Sequence, residues 1–116
     1  MDTILELTLL YDFYGELLTE KQKRVYEMHY QEDYSLTEIG EEFSISRQAV
    51  QDQLRRTEKI LRDYEEKLGL VARFFAQKKE VQEISEIAEC LLKEPVQEKT
   101  RESLERIKII ADRLLA

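Results

Sequence analysis

The chain has 116 residues, with 25 acidic and 18 basic side chains, a formal net charge of −7, and 42% hydrophobic and 37% charged residues; this is the size of one compact domain and excludes a multidomain enzyme. Three glycines and one proline exclude collagen-like, mucin-like and flexible-linker compositions, and the lone Cys90 excludes an internal disulfide. No apolar stretch approaches the ~18 residues that span a bilayer, so no membrane insertion is expected, and Met1-Asp2-Thr3 lacks the basic start of a secretory signal, which makes the cytoplasm the expected location.

Ile4, Leu7, Leu10, Tyr11, Tyr14 and Leu18 recur at three- and four-residue steps and predict a first helix from about Asp2 to Tyr14, interrupted at Gly15. Thr19 with Gln22 fits a capping box for a second helix whose buried stripe is Val25, Met28 and His29. Ser35 with Glu38 repeats the capping pattern before a third helix of about two turns, carrying Leu36, Ile39 and Phe43. Ser46 can cap a fourth, with Val50, Leu54, Leu61, Tyr64 and Leu68 near a seven-residue spacing, Thr57 in the seam and an end near Gly69. The run Leu70 to Phe75 opens a further helix with Val81, Ile84, Ala88 and Leu91 on one face. Pro95 marks a turn near Lys93 to Val96, after which Leu104, Ile107, Ile110, Ala111 and Leu114 suit an antiparallel partner. Strict alternation and glycine-marked hairpins are missing, so the chain reads as all-α.

Residues Ser35 to Val50 have the layout of a helix-turn-helix. Where the helices cross, the first must present a small residue, and Gly40 supplies it; Ile39, Ile45 and Val50 seal the angle. The turn position that often holds Gly is Ser44, which tolerates a positive φ poorly, so a differently built turn is expected. With Val50 pointing inward, Gln48, Gln51, Arg55, Lys59 and Arg62 fall on the opposite half of the fourth helix, with Arg47 and Arg56 at its edges. Arg47, Gln48 and Gln51 stand where base readout is expected, and Arg55, Arg56, Lys59 and Arg62 where phosphates would be met.

The charge is distributed to match. Residues 1–45 carry 3 basic and 11 acidic groups, residues 46–62 carry 5 basic and 2 acidic, and residues 63–116 carry 10 and 12. One basic segment therefore sits inside an acidic protein, and screening over roughly 8–10 Å lets it act locally. About five phosphate contacts would give a salt slope near −4 to −5 on a duplex, with repulsion from the acidic first segment keeping the binding weak. Against this stands the ordinary reading of a charged helix face as simple solvation.

Other chemistry finds little support. His29 reads as a packed or half-buried histidine around which no triad assembles, and Cys90 as a small buried hydrophobe without a metal-binding neighbour. Glu41-Glu42 and Glu65-Glu66 diverge on their helices and read as solvated faces. Tyr11, Phe13, Tyr14, Tyr26 and Tyr30 read as inter-helix packing rather than a base-stacking platform. No phosphate loop is present, and neither an enzyme nor a cofactor is expected.

The blocks Leu9 to Gln22, Ser44 to Asp52 and Tyr64 to Leu68 resemble the YlxM-type proteins of Gram-positive bacteria, over roughly residues 5–70. That resemblance implies a fold similar to region 4 of sigma factors, within the winged-helix-like DNA-binding superfamily. It also implies a small accessory or regulatory protein of the signal recognition particle, because the genes of such proteins commonly neighbour that of the particle GTPase; the partners would be the particle RNA, its GTPase or both. The expected organisation is residues 1–69 holding the N-terminal helices and the motif at about 35–62, then a helical extension, 70–116, packed on it or on a second subunit as a homodimer. Two other functions stay open: a DNA-binding transcriptional regulator, and a protein-interaction module that binds no nucleic acid.

Overall fold

The computed structural model describes residues 3–116, and all regular structure among them is helical; Asp2, where the sequence starts the first helix, lies outside the described residues. The elements are α1 (Thr3–Tyr14), one turn of 3-10 helix (Gly15–Leu17), α2 (Glu20–Tyr30), α3 (Leu36–Phe43), α4 (Arg47–Leu68), α5 (Leu70–Leu92) and α6 (Glu98–Leu115). They divide into two compact units, the first ending at Val71 and the second running Ala72–Ala116.

The capping residues set the helix starts in the first unit. Thr19 Oγ1 accepts the Gln22 N–H while Gln22 Oε1 accepts the Thr19 N–H, and Ser35 with Glu38 makes the same reciprocal pair. Ser46 Oγ accepts the Ala49 N–H at 3.0 Å and starts α4. At 22 residues, α4 is about 33 Å long and runs past two apolar clusters. Leu61 packs with Leu7, Leu10, Tyr14, Leu18, Tyr26 and Val71; Val50 and Leu54 pack with Val25, Met28 and Ile39. Thr57 lies buried between them. Each of α1, α2 and α3 thus closes on α4, and the apolar stripe of each faces the same helix.

Several side chains depart from the sequence expectations. In α2 it is Tyr26, not His29, that completes the buried stripe; His29 is half-buried, its Nδ1 3.1 Å from the Tyr34 carbonyl oxygen and its ring edge-on to Tyr30. Leu68 is exposed, because the last turn of α4 passes beyond the cluster around Leu61. Cys90 is exposed rather than buried. Ser44 does adopt the left-handed conformation, φ 57° and ψ 43°, so the turn has the ordinary backbone despite its side chain. Glu65 is half-buried and bonded to Tyr14, unlike its solvated neighbour Glu66.

In the second unit α5 and α6 form an antiparallel pair joined across Pro95. The N–H groups of Lys93 and Glu94 close the end of α5 on the carbonyls of Cys90 and Leu91, and Arg101 Nη1 donates to the Leu92 carbonyl at 3.3 Å. Their seam differs from the apolar stripes in the sequence: it buries Ser85, Ala88 and Ala111, while Ile84, Leu91, Ile107 and Leu114 stay exposed. Ser85 Oγ donates across the seam to Asp112 Oδ1 at 2.7 Å. The hydroxyl's hydrogen bond makes a polar residue acceptable where periodicity alone places a larger apolar one.

Candidate nucleic-acid interface

Gly40 positions the outer helix of the motif. A Cβ built on it would lie 2.6 Å from the Ile45 carbonyl oxygen, and the Gly40 carbonyl accepts the Ile45 N–H at 2.9 Å. The turn therefore folds directly over the glycine, and α4 leaves it with Arg47, Gln48, Gln51 and Asp52 of its first two turns exposed and Val50 and Leu54 buried. Ser46, Arg47, Gln48 and Gln51 line an open groove there. The first turn of α4 has no acidic side chain, which leaves the positive end of the helix dipole uncompensated, a favourable place for a phosphate.

All seven residues singled out in the sequence, Arg47, Gln48, Gln51, Arg55, Arg56, Lys59 and Arg62, lie on α4 and are exposed. They are not electrostatically equivalent. Arg62 Nη1 is 2.6 Å from Glu6 Oε1 of α1, and Lys59 Nζ is 3.2 Å from Asp63 Oδ2 one turn on. Arg47, Gln48, Gln51, Arg55 and Arg56 make no side-chain hydrogen bond or ion pair among the described residues. The available donors thus gather in the N-terminal half of α4, and the C-terminal half of the stripe is neutralised within the chain.

One cation escapes sequence reading. Lys21, in the first turn of α2, lines a shallow cleft with Thr19, Gln22, Gln53 and Arg56, so it adds positive charge beside Arg56. No spacing rule links positions 21 and 56; only the packing of α2 on α4 brings them together. The tyrosines behave as packing groups with a polar edge. Tyr11 stacks on Tyr26 at 4.4 Å between ring centroids, and the Tyr11, Tyr14 and Tyr30 hydroxyls donate to Glu27, Glu65 and Glu58. Three carboxylates of an acidic unit are thereby held by phenols.

Among the described residues no group of three or more His, Cys, Asp or Glu side chains is placed to hold a metal ion, and no helix is long and apolar enough to cross a membrane. A family model described as "Putative helix-turn-helix protein, YlxM / p13 like", UPF0122, matches residues 1–106. A UPF0122 protein of Caldanaerobacter subterraneus is 54% identical over 85 residues, 73% of each chain. One from Halalkalibacterium halodurans is 48% identical over 86 residues, covering 74% of this chain and 79% of the relative. One from Listeria welshimeri is 44% identical over 104 residues, covering 90% and 93%.

Proposed function

The chain belongs to the UPF0122 family of YlxM / p13-like helix-turn-helix proteins, and from that premise we propose that it is a non-enzymatic cytoplasmic accessory or regulator of the signal recognition particle, contacting the particle RNA, its GTPase or both through α4. The observation that carries the nucleic-acid part is the group of unpaired, exposed donors Arg47, Gln48, Gln51, Arg55 and Arg56 on one helix of an otherwise acidic unit. The pathway itself rests on the gene neighbourhood of YlxM-type proteins. A helix cannot easily read the deep, narrow major groove of A-form RNA, so α4 would meet phosphates, 2′-hydroxyls and irregular loops. A fold similar to region 4 of sigma factors belongs to the same reading.

The test is binding of the full chain to a transcript of the particle RNA at low salt, with Arg55→Glu/Arg56→Glu as the variant. These two side chains have no partner to lose, so circular dichroism should be unchanged while affinity falls by at least tenfold. Unchanged affinity would remove nucleic acid from the proposal, and capture of the particle GTPase that survives nuclease treatment would then establish a protein-interaction module.

A second reading, a DNA-binding transcriptional regulator, is favoured by the close crossing at Gly40, which leaves the first turns of α4 free to enter a major groove. Competition between the particle RNA and duplex DNA at two salt concentrations separates the two. Preference for duplex DNA at both would decide for the regulator.

A further inference from the structure

The second unit leaves its larger aliphatic side chains outside its own seam. Ile84, Ile87 and Leu91 of α5 are 45–52% exposed, and Ile107, Ile110 and Leu114 of α6 are 43–67% exposed. The Ser85–Asp112 hydrogen bond and the approach of Lys108 to Glu89 set the antiparallel register, which places Ile84 level with Leu114, Ile87 with Ile110 and Leu91 with Ile107. At about 100° per residue, both triplets are rotated off the seam in the same sense, and in antiparallel helices that brings them to the same side of the pair. Ile84 and Leu114 line one cleft together, as that geometry requires. The pair is therefore half of a bundle: two helices, one continuous apolar face and three aliphatic rungs across it.

We propose that a second copy of this chain covers that face, the two α5–α6 pairs closing into a four-helix bundle with α5 of each lying on α6 of the other. Six side chains about half exposed leave several hundred Å² of apolar surface, the upper end of the ~300–600 Å² that monomers tolerate. Two such faces with their polar rims reach the lower range of a stable interface, roughly 1,200 Å² in total. Net charge does not oppose the association, since residues 72–116 carry nine acidic and nine basic side chains, whereas residues 1–71 carry sixteen and nine.

The rims choose both the occupant and its orientation. Along the outer edge of the face, α5 carries Glu83, and α6 carries Arg106 and Arg113; all three are exposed and without an ion-pair partner among the described residues. A twofold axis parallel to the helices lays the glutamate edge of one copy on the arginine edge of the other, with Glu83 level with the partner's Arg113. The alternative twofold, which lays α5 on α5, sets glutamate against glutamate. Self-complementarity of this kind is what an isologous dimer requires.

Sedimentation equilibrium on the full chain tests the proposal, which is independent of whether α4 binds nucleic acid. The wild type should be dimeric at about 10 μM. Ile87→Glu with Ile110→Glu, both at exposed positions, should give a monomer. Glu83→Arg and Arg113→Glu should each raise the dimer dissociation constant by about tenfold, and the double reversal should restore it, since two symmetry-related pairs change sign together. A wild-type monomer, meaning that the chain's own first unit or nothing covers the face, overturns the proposal. So does a dimer indifferent to the isoleucine changes, or one that the single reversals weaken and the double reversal does not rescue.

Discussion

The Tyr14 hydroxyl donates to Glu65 Oε1 at 2.5 Å, and the pair holds the start of α5: Val71 N–H donates to the same carboxylate oxygen at 3.0 Å and Leu70 N–H to the phenol oxygen at 3.1 Å. Gly69, at φ 62°, ends α4 in the left-handed conformation, and α5 begins at the next residue. A tyrosine from α1 and a glutamate from α4 thus satisfy two of the N–H groups that a helix start leaves without partners.

Removing either partner should destabilise the first unit, in a definite order. Tyr14 is fully buried, and Tyr14→Phe loses two hydrogen bonds, the one it donates to Glu65 and the one it accepts from the Leu70 N–H, while Glu65 keeps Val71, a cost of about 1–2 kcal/mol. Glu65→Leu strands both the buried phenol and the Val71 N–H and should cost about 2–3 kcal/mol. Urea denaturation reads both; a smaller loss for Glu65→Leu than for Tyr14→Phe would refute the bridging role.

Four tyrosines make the fold sensitive to alkali. Burial first and then a carboxylate acceptor push the Tyr11, Tyr14 and Tyr30 phenols above their ordinary value, and burial pushes Tyr26 up to about 12. In the unfolded chain these phenols ionise near ~10, so above that pH the unfolded state has released protons that the folded state still holds. Stability should be fully present below pH ~10 and fall as pH rises through about 12. Tyrosinate absorbance followed alongside circular dichroism should show these phenols ionising together with loss of helix. Ionisation of all six tyrosines near pH ~10 in an intact helical protein would contradict this.

The crossing of α3 and α4 predicts two substitutions of opposite sign four residues apart. Gly40→Ala places a methyl 2.6 Å from the Ile45 carbonyl oxygen, where the neighbour is backbone and cannot swing aside, and should cost about 2–3 kcal/mol. Ser44→Gly removes the penalty of a side chain at φ 57°; after the greater entropy of glycine in the unfolded chain it should still stabilise by about 0.5–1 kcal/mol. Thermal melting of the two variants provides the check, and a destabilised Ser44→Gly would mean that its side chain contributes more than its backbone costs.

These cases show what kind of information a sequence carries. Thr19 with Gln22, Ser35 with Glu38, and Ser46 act within four residues, so their helix starts could be read directly, as could the need for a small residue at position 40. The basic face of α4 was legible for the same reason, being periodic within one helix. Its division into free and neutralised halves was not, because Glu6 meets Arg62 across 56 positions. Nor was the seam of α5 and α6: periodicity marks an apolar stripe, but the seam buries Ser85, Ala88 and Ala111 instead, the serine with Asp112 to bond.

The Glu6–Arg62 pair offers a gain of function as a test of where α4 meets its ligand. Both side chains are about 40% exposed, at 41% and 42%, so breaking the pair should cost only about 0–1 kcal/mol of stability. Glu6→Gln releases the Arg62 guanidinium onto the edge of α4 shared with Gln51 and Arg55, adding one cation to Arg47, Arg55 and Arg56. Nucleic-acid affinity at low salt should rise several-fold, and the salt slope should steepen by about one from the value near −3 that three phosphate contacts give. Asp12→Asn is the control, since it removes the same charge from exposed α1 surface without releasing an arginine. Arg62→Gln alone should leave binding unchanged, and adding it to Glu6→Gln should abolish the gain. If Asp12→Asn raises affinity equally and the gain survives loss of Arg62, the effect is general charge reduction, and the ligand lies beyond the reach of the C-terminal half of α4.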